Sequence, residues 1–128
     1  MKTFNDFIFE FNNFDVLVQV DNIDENFKNE IINNLSFLYK KRIDRYLRPT
    51  VISGDITDNF IQLNIIMSNK DIINIEYIND ELKIIINDEL IYYMDEINYN
   101  EIINKVAKNY KKYIEKLNFN ILTKNNDI

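Results

Sequence analysis

The chain contains no cysteine and no histidine, and only one glycine (Gly54) and one proline (Pro49) in 128 residues. Without cysteine there are no disulfides, thiolate metal sites or thiol nucleophiles, and the redox compartment is left open. Without histidine the commonest general base and the commonest metal ligand are missing, so Ser36, Ser53 and Ser68 have no imidazole to activate them. A single glycine excludes a glycine-rich phosphate loop. No stretch approaches the ~18 uncharged apolar residues of a membrane span. Met1–Asp6 lacks a basic region followed by an apolar run, so no signal peptide is expected. The expectation is a cytoplasmic protein of a bacterium, or of the host cell if phage-encoded.

What is present is an apolar fraction of 46%, enough for a core, in a length that fits one domain, 1–128, with a frayed tail over about 121–128. The chain holds 24 Ile and 22 Asn but one Ala. Such a skew matches the codon bias of AT-rich genomes, as in low-GC bacteria, their phages and similar parasites. It also makes Asn the default polar filler and weakens motifs built from it.

Residues 6–20 alternate around Asn12-Asn13. A two-residue turn there puts Phe7, Phe9, Phe11, Phe14, Val16 and Val18 on one face, continued by Val20, and predicts a hairpin. From 23 to 47 the period becomes helical: Phe27, Ile31, Leu35, Leu38 and Ile43 form a stripe, Asn22 and Glu25 have capping-box spacing, and Pro49 marks the stop. Residues 49–58, with Ser53-Gly54-Asp55, read as a loop.

Residues 59–94 read as a meander. A turn at Asn79-Asp80 pairs Tyr77 with Leu82, Ile75 with Ile84 and Ile73 with Ile86, and sets Glu76 across from Lys83 on the other face. A second turn at Asp88-Glu89 continues into Leu90–Met94 and would face Leu82 with Asp95 and Glu81 with Glu96. The last element is a helix capped by Asn98 and Glu101, with Ile102, Ile103, Val106, Tyr110, Tyr113, Ile114 and Leu117 on its buried face and its pattern ending near Asn118. The fold class is therefore α+β: an antiparallel sheet, a hairpin plus a three- or four-stranded meander, with two amphipathic helices over one face.

The order helix, three or four antiparallel strands, helix resembles the double-stranded-RNA-binding fold over about residues 23–118. The resemblance is topological: that family's Gly-Pro-x-His loop and Lys-Lys-x-x-Lys helix opening are absent, and the last helix here opens Asn98-Tyr99-Asn100-Glu101.

Charge is uneven about a net of −6: −5 over 1–35, +4 over 36–50, −9 over 51–101 and +4 over 102–117. All three arginines, Arg42, Arg45 and Arg48, fall three apart, beside Lys40 and Lys41. On a helix they share a face, where they complement the helix dipole or grip an anion. In the acidic block Asp80, Glu81, Asp88, Glu89, Asp95 and Glu96 collect at the two turns, and the register crowds Asp80, Glu81, Asp95 and Glu96 at one sheet end. Hard cations favour oxygen donors, but no Asp-x-Asp-x-Asp-Gly loop is present and turns are where solvated acids gather, so no metal and no cofactor is expected. No pair of carboxylates is singled out for acid–base work, and the tyrosines have the spacings of packing residues.

The expectation is thus a non-enzymatic acidic protein that binds another macromolecule stoichiometrically. A phage antidefence or nuclease inhibitor, an immunity protein and a chaperone all fit this class. The partner expected is a protein with a basic surface, such as a nuclease or toxin, at the acidic turns; the alternative is nucleic acid on an anion-binding face of Lys41, Arg42, Arg45 and Arg48.

Overall fold

The computed structural model describes residues 16–21, 23–38, 46–58 and 60–126. Its elements are β1 (Leu17–Gln19), α1 (Glu25–Asn34), β2 (Phe37–Leu38), β3 (Tyr46–Leu47), β4 (Pro49–Ile56), β5 (Phe60–Met67), β6 (Ile72–Ile78), β7 (Glu81–Ile86), β8 (Glu89–Met94), a 3₁₀ turn (Tyr99–Glu101) and α2 (Ile102–Asn126). Six strands form one sheet in the order β1-β4-β5-β6-β7-β8, and β2 pairs with β3 in a second, two-stranded sheet. The β1–β4 pair is parallel and every other pair is antiparallel, so the molecule is α+β. The parallel first strand and the extra small sheet depart from the helix–strands–helix order of the double-stranded-RNA-binding fold.

Alternation decides the sheet. The β6–β7 register pairs Tyr77 with Leu82, Ile75 with Ile84, Ile73 with Ile86 and Glu76 with Lys83, as the spacing predicts. The turn residues Asn79 and Asp80 have φ of 52° and 64°, the left-handed values that such a two-residue hairpin needs. Ile61, Leu63, Ile65, Met67, Ile73, Ile75, Leu82, Ile84 and Ile86 are buried, and they form one core with Phe27, Ile31 and Ile32 of α1 and Ile102, Ile103, Val106 and Tyr110 of α2. Leu17 and Gln19 are exposed while Val16 and Val18 pack against that core and Val20 is buried, so the alternation at 16–20 holds. Residues 6–15 of the hairpin expected over 6–20, which include its four phenylalanines, lie outside the described residues.

Several expectations are corrected. The helix expected over 23–47 ends at Asn34, and Ser36, beyond its end, turns its hydroxyl onto the Ile32 carbonyl, 2.5 Å away. Phe37-Leu38 and Tyr46-Leu47 instead pair as strands. A short aromatic run satisfies either period, and here cross-strand pairing prevails. The helix begins after Asp24, which makes no side-chain cap bond, while Asn22 of the expected capping box lies outside the described residues; Asn98 makes no side-chain cap bond either. Finally, α2 runs to Asn126, beyond the end of its apolar pattern.

The expected loop at 49–58 is β4, an interior strand between β1 and β5. Pro49 occupies its first position, where a missing N–H is tolerated, and the register shifts between Pro49 and Val51. Gly54 signals close approach instead of a turn: its φ is 130°, and a Cβ there would meet the Gln62 carbonyl oxygen at 2.0 Å.

The second hairpin also differs. Its turn is Asn87-Asp88, with φ of 50° and 67°, in place of Asp88-Glu89. Ile86 faces Glu89 and Ile85 faces Leu90, then a bulge leaves Ile91 without an opposite number, and Leu82 faces Met94. Asn accepts the left-handed conformation far more readily than Glu does, which selects the earlier turn. The predicted Leu82–Asp95 and Glu81–Glu96 pairs do not form: the earlier turn and the bulge set Met94 opposite Leu82, and pairing stops there.

Candidate functional site

Ending the strand at Met94 relieves the carboxylate crowding that a longer ladder would impose. Glu96 takes a φ of 56°, and Ile97 turns back into the core, 3% exposed, where its N–H donates to the Asp80 carbonyl at 3.0 Å. The bend still gathers the acids at one end of the sheet. On the buried side of that end, the Tyr77 hydroxyl lies 3.1 Å from Asp80 Oδ1. On the open side, Tyr93 donates its hydroxyl proton to Asp95 Oδ1. Lys83 faces Tyr93 across the β7–β8 pair, which sets Glu81 diagonally from Tyr93 on the same face.

The Tyr93 phenol is pushed up to about 12, first by its hydrogen bond to Asp95, then by desolvation and by the negative charges of Asp95 and Glu81. Ionising it would place a third negative charge among two carboxylates. Asp80, Glu81, Asp95 and Glu96 are all exposed. Among the described residues no cation forms an ion pair with any of them; the ion pair found is Lys28–Glu25 in α1. Asp88 and Glu89 lie at the opposite end of β7 and β8, as alternation along a shared strand requires. No group of acids among the described residues is arranged to hold a metal ion.

Of the arginine site only Arg48 is described, and it lies on no helix. Arg48 sits between β3 and β4, its N–H donating to Ser68 Oγ at 3.2 Å. Lys41, Arg42 and Arg45 lie outside the described residues, and the strand at Tyr46–Leu47 breaks any helix that would align them with Arg48.

Two features escape sequence reasoning. Asp71 is a hub at the Asn87 end: its carboxylate accepts from Asn69 Nδ2 at 2.9 Å, Asn87 Nδ2 at 3.0 Å and the Tyr110 hydroxyl at 2.8 Å. Tyr110 is fully buried, so its hydroxyl must find a partner, and Asp71 supplies it. The second feature is the face of the sheet opposite the core. One row across it carries Leu17, Val51, Ile66 and Ile72, the next Gln19, Ser53, Asn64, Asn74, Ile85 and Leu90, and the next Asp55, Gln62, Glu76, Lys83 and Tyr93. Asn74 donates to Asn64 across the middle row. The signal for these rows was the second half of each alternation, read in register.

No protein-family model, curated protein or solved structure matches the chain. No helix among the described residues is long and apolar enough to cross a membrane.

Proposed function

We propose that the protein acts by stoichiometric binding to a basic protein, as inhibitors, immunity proteins and chaperones do, and that it carries out no catalysis. In this reading both helices lie over the buried face of the sheet, which leaves the acidic end free to meet a partner. The observation that carries it is the set of four exposed carboxylates, Asp80, Glu81, Asp95 and Glu96, gathered at one sheet end with no described cation paired to them. Mutual repulsion there is relieved by a cationic partner, which gains on-rate by steering and specificity by complementarity. A nuclease or toxin surface rich in Lys and Arg has the matching chemistry.

The test is a charge reversal on a partner purified from the source organism. Glu81→Lys with Glu96→Lys leaves the fold intact, because both side chains are exposed. It weakens binding by about tenfold or more and flattens the dependence of affinity on salt. Unchanged affinity in the double variant places the interface elsewhere and removes the reading.

A further inference from the structure

We infer that β8 is a docking edge, to which an extended segment of a basic protein adds as a seventh, antiparallel strand with its Lys or Arg residues against Glu81, Asp95 and Glu96. The inference rests on the binding reading above and gives it a geometry.

The strand closes the six-stranded order, and among the described residues nothing pairs with its outer side. An edge strand presents unpaired N–H and C=O groups, and proteins usually blunt such edges with charge, proline, a bulge or brevity. The other edge of this sheet, β1, is three residues long. By contrast β8 runs for six, and from Leu90 to Met94 it has neither a charge nor a proline. Leu90, Tyr93 and Met94 are 56%, 46% and 40% exposed, costly surface to leave in water. The bulge at Ile91 blunts only the beginning, and Tyr92–Met94 pair regularly with β7.

Beside this edge runs a groove of about 520 Å³ between β8 and α2, lined in part by Leu90, Tyr113 and Leu117. Side chains of an added strand alternate between faces, so those on the α2 side opposite Glu89–Ile91, which line the groove, would enter it while the backbone hydrogen-bonds to β8.

Charge selects the occupant. At the Glu89 end, Lys112 and Lys116 line the groove and offset the acids of the turn. At the Met94 end Glu81, Asp95 and Glu96 stand against Lys83 alone among the nearby residues of β7 and β8. The edge thus runs from near balance to strongly negative. A second copy gains nothing from this pattern: antiparallel self-pairing sets Glu89 toward Asp95, and each chain carries −6. An apolar strand preceded by basic residues does match, because antiparallel addition brings its N-terminal end beside Asp95 and Glu96. Antiparallel pairing is also the arrangement throughout β4–β8 and the slightly more stable one.

The probe is a synthetic peptide, acetyl-Arg-Lys-Val-Thr-Val-Tyr-Val-amide, titrated into the full chain by calorimetry, with hydrogen exchange of the β8 amides read in parallel. Two controls carry the logic: the same peptide N-methylated at alternate amides, and the same peptide with Glu-Glu in place of Arg-Lys. The parent peptide is expected to bind and to slow exchange at Leu90–Met94. N-methylation is expected to weaken it about tenfold or more through lost backbone bonds, and Glu-Glu to weaken it about as much. If the N-methylated peptide binds as well as the parent, strand addition is overturned while the acidic-end reading stands. If the Glu-Glu peptide binds as well as the parent, the charge argument falls with it. Failure of the parent to bind at millimolar concentration overturns the docking edge, as does a dimer of the free chain with slowed exchange confined to β8, which makes the occupant a second copy.

Discussion

The Tyr77 hydroxyl lies 3.0 Å from the carbonyl oxygen of Ile97, twenty residues further along the chain. The same hydroxyl is 3.1 Å from Asp80 Oδ1, so one proton is shared between two acceptors, and the Ile97 N–H closes the ring onto the Asp80 carbonyl at 3.0 Å. The segment leaving β8 is thereby pinned to the β6–β7 turn just before α2 begins. Asp95 and Glu96 lie in the segment between β8 and that pin.

Tyr77→Phe is expected to cost about 1 kcal/mol, the ordinary net value of one hydrogen bond. Chemical denaturation measures it. Because Ile97 keeps its backbone bond, the fold should survive, and exchange of the Asp95–Asn98 amides should rise more than that of β5. Equal acceleration everywhere would show that the bond has only a global effect.

Gly54→Ala is expected to be far more damaging. The new Cβ meets a backbone oxygen, Gln62 O, at 2.0 Å, and the φ of 130° is strained for any L side chain. Neither atom belongs to a flexible side chain, so two interior strands must separate. A loss of about 3 kcal/mol or more follows, a large share of a typical total of about 5–15. Thermal unfolding checks it, and a variant as stable as the parent would mean that β4 and β5 are not packed at this distance.

That glycine also shows where sequence reasoning runs short. Ser53-Gly54-Asp55 has the composition of a turn, and composition does not distinguish a chain that bends from a chain approached by its neighbour. The β6–β7 pairing was legible because Ile73, Ile75 and Tyr77 alternate on one side of Asn79-Asp80 and Leu82, Ile84 and Ile86 on the other, which fixes the register locally. The helix stripe was legible through Leu35 and misleading after it, since Phe37 and Leu38 suit a strand equally well. Of the candidate site, the hairpin count puts residues 80–81 and 95–96 toward one end of the sheet, but the pairs it predicts there, Leu82–Asp95 and Glu81–Glu96, are absent because the turn falls one residue earlier. The Asp71 hub was not legible, because its partners Asn87 and Tyr110 lie 16 and 39 residues away.

Tyr93 provides a pH test. Its pKa of about 12 stands above the ordinary tyrosine value of about 10. A raised pKa means that the folded state keeps a proton the unfolded state has lost. Its contribution to stability is therefore complete below pH about 10 and is lost as pH rises toward about 12. The side chain is 46% exposed, so solvent screens the effect, and the pKa itself is the better readout. Tyrosinate absorbance of the parent minus that of Tyr93→Phe should titrate near the raised value. Asp95→Asn removes the charge behind the largest cause and should lower it toward the ordinary value. No movement in that variant would detach Tyr93 from the acidic end.

Asn87 offers a separation of two effects at one position. Its side chain accepts from the Ile72 N–H at 2.9 Å and donates to Asp71 Oδ1 and the Tyr113 hydroxyl, both at 3.0 Å. Its backbone meanwhile holds the turn at a φ of 50°. Asn87→Gly keeps the turn geometry and deletes the side-chain bonds; with the Ile72 N–H exposed to water, the expected loss is about 1–3 kcal/mol. Asn87→Ala deletes the same bonds and also forces a Cβ into the left-handed region, which adds about 1 kcal/mol. The difference between the two variants in denaturant unfolding thus measures the backbone preference, and the glycine variant alone measures the network. If alanine proves no worse than glycine, the turn does not hold residue 87 left-handed, and the selection of Asn87-Asp88 over Asp88-Glu89 needs another cause.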